Sequence, residues 1–351
     1  MKTNATERPF GRTSDGREVR AFVLTQRDGM QAEFIEFGAS LTSLKVLVGD
    51  RLRELCLGCD SLADYEAQAA SLGAVVGRCA NRTAYGRLHV DGATHQLDIN
   101  LGEHHLHGGA EGFGKQVWSG QLRVDHRGPS VRFVYLSPAG QSGYPGNLEI
   151  TVDYTLDENG RLWMEYRALC DAPTAVNVTN HAYFNLGDDE CVDCKDHVVM
   201  VRADRYVATD DDRVPSGQLP SVDGTPLDLR SPRRIRGDLE SDHPLIHQGS
   251  GYDHTLVFSD EGDGVREVAH VESPDGLLRM TLATDQPSLQ LYTGNFLEGT
   301  PGPAGHIYGV NAGICLEAQG LPDASKHPGF PSIIIRPGEL YQQRTIYRFE
   351  V

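Results

Sequence analysis

The stretch TNHAYFNLG, residues 179–187, sets His181 between an amide and two aromatic rings, and GICLEAQGLPD, residues 313–323, sets Glu317 behind an apolar run. A third stretch, GYDHTL, places Asp253 at the head of a strand-like segment. At neutral pH an unperturbed glutamate, with a pKa of about 4.3, is a base, while a histidine, at about 6.5, can deliver or accept a proton. Two carboxylates flanking one bond would suit glycoside hydrolysis. A histidine with a glutamate suits instead a reaction that deprotonates and protonates one small molecule together. Taken singly, each residue has a plainer reading. His181 could equally be a packed core residue or a metal ligand, and Glu317 could stand at a strand end facing water.

Other chemistries find less support. The glycines of LHGGAEGFG fit neither G-x-G-x-x-G nor G-x-x-x-x-G-K-[ST], and no helical pattern follows them. They read as letting a loop approach a ligand or turn sharply. His104, His105 and His107 cluster, yet neither H-E-x-x-H nor a closed ligand set is present, so no metal site is expected. No G-x-S-x-G elbow marks a serine hydrolase. Cys56/Cys59 and Cys191/Cys194 have C-x-x-C spacing, but over a hundred residues separate the pairs. A zinc ribbon wants about 15–20, so the spacing is taken as accidental.

The elements that must position such groups are strands. In LEITVDYTL, Leu148, Ile150, Val152, Tyr154 and Leu156 share one face, while Glu149, Thr151, Asp153 and Thr155 share the other. SVRFVYLSP, RLWMEYRALC and LLRMTLATD behave alike, and ELCLG reads as a buried strand around Cys56. Asp91-Gly92, Asn159-Gly160 and Pro337-Gly338 mark turns between strand-like runs. Helical periodicity is scarce; SLADYEAQ could form one short helix with Ser61 as its N-cap. No βαβ alternation, repeat or linker is visible, and residues 209–250 form the loosest region. The expected fold is all-β, a large antiparallel β-sandwich with few short helices, spanning 1–351 as a single domain.

Composition narrows the partners. A formal net charge of -17 repels phosphate backbones and anionic lipid, which argues against nucleic-acid and membrane roles and leaves neutral small molecules as ligands. No apolar run reaches the ~18 residues of a membrane span. Seven cysteines, an odd number, fit a reducing compartment better than a disulfide framework. The opening MKTNATERPFGRTSDGREVR does not resemble a secretory signal, so a cytoplasmic location is expected.

In order and spacing, a series of blocks resembles galactose mutarotase, the aldose 1-epimerase family. They run from LGCDSLADYEAQAASLGAVVGRCANR through LHGGAEGFGKQVW, GYPGNLEITVDYTL and NVTNHAYFNL to DGTPLDLR, GYDHTLV, LQLYTGNFL and GICLEAQGLPDASKHPGFPS. The resemblance covers nearly the whole chain. It implies a large antiparallel β-sandwich with a sugar cleft, and interconversion of the α and β anomers of free aldoses such as galactose and glucose without a cofactor. It implies that Glu317 of CLEAQ is the general base and His181 of TNHAYFNL the general acid. His107 of LHGG is then a second histidine near the ring oxygen, and Asn81 and Arg82 of ANR, Asp253 of GYDH and Gln290 of LQLYTGN are substrate-binding. Three positions depart from the family pattern: Thr83 where isoleucine is common, Leu72 where an aromatic is frequent, and Lys326 where asparagine precedes His-Pro.

Within enzymes, the alternative is a sibling epimerase for another aldose or a sugar phosphate. A phosphate would want clustered arginines, and Arg233, Arg234 and Arg236 of SPRRIRGD are the candidates, although a solvated surface loop is the expected place for them. From another class, a non-catalytic sugar-binding protein on the same sandwich needs no paired acid and base. The chain is expected to act as a monomer or homodimer.

Overall fold

The computed structural model describes residues 4–27, 29–188, 190–259, 262 and 264–351. Three antiparallel sheets carry the fold. A nine-stranded sheet runs Ser119–Asp125, Gly128–Ser137, Leu148–Leu156, Arg161–Cys170, Tyr341–Glu350, Arg279–Thr284, Arg266–Glu272, Val198–Val201 and Arg233–Arg234. The C-terminal strand sits inside this sheet, joining strands from the two halves of the chain. An N-terminal meander of five strands spans Asn4–Arg12 to Arg51–Glu54. A second five-stranded sheet, the cleft sheet, orders Tyr183–Phe184, Ile314–Gln319, Ser288–Tyr292, Asp253–Phe258 and Ala203–Tyr206.

One continuous core joins the three. It contains Phe22 and Phe34 from the meander, Ile150, Val152 and Met164 from the large sheet, and Leu256, Leu289 and Leu316 from the cleft sheet. Tyrosines tie the layers at fixed points, because a buried hydroxyl must find an acceptor. Tyr154 Oη donates to the Ala39 carbonyl at 2.9 Å, and Tyr347 Oη to the Leu316 carbonyl at 3.0 Å. The second of these holds the back of the Ile314–Gln319 strand.

The alternation in LEITVDYTL is realised: its five apolar residues are all buried. The opposite face departs from expectation, because Asp153 and Thr155 are buried too. Asp153 takes ion pairs from Arg132 at 2.6 Å and Arg167 at 3.0 Å on the adjacent strands, which lets a carboxylate lie there. The Asp91-Gly92 hairpin forms between Arg87–Val90 and Ala93–Gln96. The SLADYEAQ helix is Leu62–Ala67, with Ser61 Oγ accepting from the Asp64 amide.

The 209–250 region is largely irregular, as expected, with two short helices, Arg236–Leu239 and Pro244–Gly249, too brief to show a period. Two readings need correction. Of ELCLG only Glu54 lies in a strand, as the last residue of Arg51–Glu54; buried Cys56 makes a single bridge to Phe184. Glu317 does not end its strand; it is followed by Ala318 and Gln319 in the same ladder.

Gly73 shows how tightly the layers meet. Its carbonyl accepts from the Leu41 amide at 2.9 Å, and its own amide donates to the His181 carbonyl at 3.0 Å. Its φ is +67°, and a Cβ there would stand 1.9 Å from the Leu41 carbonyl oxygen. Gly73→Ala therefore combines left-handed strain with a backbone collision and should cost about 2–5 kcal/mol. A urea titration of the variant against wild type measures this as a lower midpoint at unchanged slope.

Candidate active site

Register across the cleft sheet lays down two rows of side chains on one face. Thr255, Gln290 and Glu317 are direct partners in the first row; Asp253, Tyr292, Cys315 and Tyr183 form the second. Residues that alternate with them, such as Leu256, Leu291 and Leu316, point the other way into the core. The period of two thus puts chemistry on one face and packing on the other.

Loops build the walls above this floor. His181 lies between the short strands Thr179–Asn180 and Tyr183–Phe184, and its amide donates to the Ala74 carbonyl at 2.8 Å. Asn81 and His107 are locked together: the His107 amide donates to the Asn81 carbonyl at 3.1 Å, and the Asn81 amide donates to His107 Nδ1 at 3.1 Å. A ring nitrogen that accepts carries no proton, so neutral His107 presents Nε2–H. The next residue, Gly108, has φ +87°, and a Cβ would stand 1.7 Å from the Gly77 carbonyl oxygen. The glycine of LHGG therefore serves a close backbone crossing, where the sequence suggested a ligand or a turn.

Floor and walls enclose a cavity of about 450 Å³. All of the residues singled out from the sequence, Asn81, Arg82, His107, His181, Asp253, Gln290 and Glu317, line it. His181 Nε2 stands 3.6 Å from Glu317 Oε1, too far for a hydrogen bond but able to share one small ligand. Glu317 is 2% and His181 5% exposed. Burial raises the Glu317 carboxyl well above its usual range, the Asp253 charge adds to this, and Arg82 opposes it. Burial also lowers His181 to about 4. Both shifts favour the uncharged pair, with the carboxyl proton on Glu317 and a neutral imidazole at His181. Moving that proton to His181 gives carboxylate and imidazolium without changing the proton count.

Arg82 and Asp253 form the charged anchor beside the pair, Nη2 to Oδ2 3.2 Å, each with a side chain 9% exposed. Gln290 Nε2 donates to Asp253 Oδ1 at 2.6 Å, and Thr255 Oγ1 donates to Gln290 Oε1 at 2.5 Å. Asn81 Oδ1 accepts from the Arg82 amide at 2.7 Å. Burial and the neighbouring positive groups keep His107 neutral, with its pKa well below the ordinary value. Glu317 Oε2 and Arg82 Nε have no hydrogen-bond partner among the described residues. Buried polar atoms left open in this way are suited to ligand hydroxyls.

Several residues in or beside the cavity escaped sequence reasoning. Tyr183, Tyr292 and Phe296 form its aromatic side. Arg213, in the loose region, reaches within 3.8 Å of Asp253 and lies over the Phe296 ring at 5.0 Å. Cys315 Sγ is 3.6 Å from His181 Nδ1. Alternation did carry a signal for two of these, since Tyr183 and Cys315 lie two residues from His181 and Glu317. No such signal marked Arg213.

The remaining candidates lie elsewhere. His105 bonds Tyr144 and Asp98, each at 2.8 Å, and His104 Nδ1 accepts from the Tyr85 amide. His181, Cys315 and Glu317 bring one donor atom each within 4.8 Å, the spacing of a metal group. Cys315 and Glu317, however, face different nitrogens of the same ring, so an ion on one nitrogen would lie away from the other partner. All seven cysteines are free thiols. Arg233 is paired with Asp238, and Arg234 and Arg236 with Asp196; none lines the cavity. Thr83, Leu72 and Lys326 also lie off its lining.

A cleft of this kind, on the face of an antiparallel β-sandwich, can take a proton from one ligand oxygen while giving one to another. Comparison with known proteins supplies the class. A family model described as aldose 1-epimerase matches residues 20–348. The aldose 1-epimerase of Escherichia coli (strain K12) is 40% identical over 338 residues, covering 95% of this chain and 96% of that protein. The galactose mutarotase of Rattus norvegicus is 40% identical over 351 residues, covering 99% of each. The crystal structure of galactose 1-epimerase from Lactobacillus acidophilus NCFM superposes with a TM-score of 0.88 at 30% identity, covering 99% of both chains. The chain belongs to the aldose 1-epimerase family.

The electrostatics give a test in stability. The folded pKa of Glu317 lies above its usual value of 4.5. Above that pH the unfolded chain releases the proton while the folded chain retains it, so this group lowers stability as pH rises. Glu317→Gln removes that loss. Calorimetry at stepped pH should show the variant gaining on wild type in Tm as pH rises above about 4.5. A difference that stays constant above that pH would contradict the assigned burial.

Proposed function

We propose that the cleft interconverts the α and β anomers of free hexoses such as galactose and glucose by acid–base ring opening and reclosure. The observation that carries this reading is the Glu317–His181 separation of 3.6 Å inside the cavity. Glu317 takes the proton of the anomeric hydroxyl as His181 gives one to the ring oxygen. The bond between that oxygen and the anomeric carbon breaks, leaving an aldehyde. Rotation about the bond between the first two carbons turns the other carbonyl face toward the hydroxyl. Closure reverses both transfers and restores both residues.

The sugar itself readies the pair. A hydroxyl donating to the open Glu317 Oε2 favours the carboxylate, and the proton then rests on His181. His107 Nε2–H, Asn81, Arg82, Asp253 and Gln290 hold the remaining hydroxyls while the carbonyl end rotates. Charge-assisted bonds from Arg82 and Asp253 are the stronger of these.

The substrate is a neutral sugar rather than a sugar phosphate in this reading, because Arg82 is committed to Asp253 and the Arg233–Arg236 cluster is paired elsewhere. A sensor would need neither the base nor the acid. The reaction moves protons only, so no redox or group-carrying cofactor is assigned. Residues 1–351 act as a single aldose 1-epimerase domain, a monomer or homodimer; the formal net charge of -17 supports a role without nucleic acid or membrane. Free thiols throughout support a cytoplasmic place; the family supports a part in hexose metabolism.

Polarimetry of freshly dissolved α-galactose tests the reading. Wild type should speed the approach to anomeric equilibrium, and Glu317→Gln and His181→Asn should each lower kcat by about 10²–10⁴-fold. Wild type without acceleration on galactose or glucose would overturn it.

A further inference from the structure

The Ile314–Gln319 strand grips both nitrogens of the His181 ring. Glu317 faces Nε2 at 3.6 Å, and Cys315, two residues earlier on the same face, places Sγ 3.6 Å from Nδ1. Cys315 is fully buried, and burial and neighbouring acidic groups push its thiol pKa well above the ordinary value, so the sulfur stays uncharged.

A neutral imidazole carries one N–H, and only one placement serves proton exchange at Nε2. If the hydrogen sits on Nε2, the ring has no lone pair toward the cleft. If it sits on Nδ1, Nε2 is free to take a proton and give it away. The contact can run either way, Nδ1–H donating to sulfur or the thiol S–H donating to Nδ1, and only the first leaves Nε2 bare. A carboxylate in its place would also hold that hydrogen, but would raise the basicity of the ring. A protonated His181 would then be a poorer acid toward a weakly basic ether oxygen.

We propose that Cys315 is a positioning residue that keeps a proton on His181 Nδ1, leaving Nε2 as the atom that exchanges protons with the sugar. The inference rests on the reading of His181 as the acid.

Imidazole ¹⁵N spectra of wild type, Cys315→Ser and Cys315→Val test it, with steady-state kinetics on galactose alongside. The serine variant retains an acceptor; valine fills similar space without one. Wild type and the serine variant should show Nδ1 protonated and Nε2 bare, with similar kcat. The valine variant should show mixed tautomers and a kcat about tenfold lower at nearly unchanged KM. A wild-type spectrum with the hydrogen on Nε2 overturns the proposal even if the valine variant fails to fold. So does a folded valine variant with unchanged tautomer and kcat. Absence of wild-type activity would instead count against the functional reading, and the spectra would still report the tautomer.

Discussion

A carboxyl and an imidazole held 3.6 Å apart, each almost out of contact with water, form the constraint on which the rest of the architecture depends. Neither group can be charged there without help, and neither gains a hydrogen bond from the other. Such a pair would drift apart on a loop. Here Glu317 lies mid-strand between two hydrogen-bonded neighbours, and the Tyr347 hydroxyl fixes the carbonyl behind it. His181 is held through its own backbone by Ala74 and Gly73. The large sheet and the meander supply the packed mass that keeps these contacts in place.

The Arg82–Asp253 anchor acts on this pair from two directions. Asp253 raises the Glu317 pKa and Arg82 lowers it, so the ion pair sets where the shared proton rests without touching it. Gln290 and Thr255 extend the anchor along the same row as Glu317. In the proposed mechanism, binding and proton transfer are therefore coupled through adjacent strands. A sugar that engages Asp253 and Arg82 also changes the field at Glu317.

Much of this was legible in the sequence because it follows a period of two. LEITVDYTL, RLWMEYRALC and LLRMTLATD announced the large sheet, and Ser61 announced the Leu62–Ala67 helix. Single-residue chemistry was legible only as alternatives: nothing local distinguishes a packed His181 from an acid. The family resemblance pointed to the acid by naming partners remote in sequence. What stayed hidden depends on tertiary approach. Arg213 reaches Asp253 from a loop without periodicity, and Asp153 is buried because arginines on adjacent strands meet it. Gly108 serves a backbone crossing that no motif describes.

Galactose labelled with ¹⁸O at the anomeric hydroxyl probes the central chemistry most directly. Exchange NMR at anomeric equilibrium reads both the interconversion of the anomers and, through the isotope shift at the anomeric carbon, the fate of the label. Ring opening by the Glu317–His181 pair breaks the bond to the ring oxygen, so the enzyme should interconvert the anomers many times with the label retained. Loss of one label with each interconversion would show that the exocyclic bond is broken instead, and would contradict the roles given to both residues.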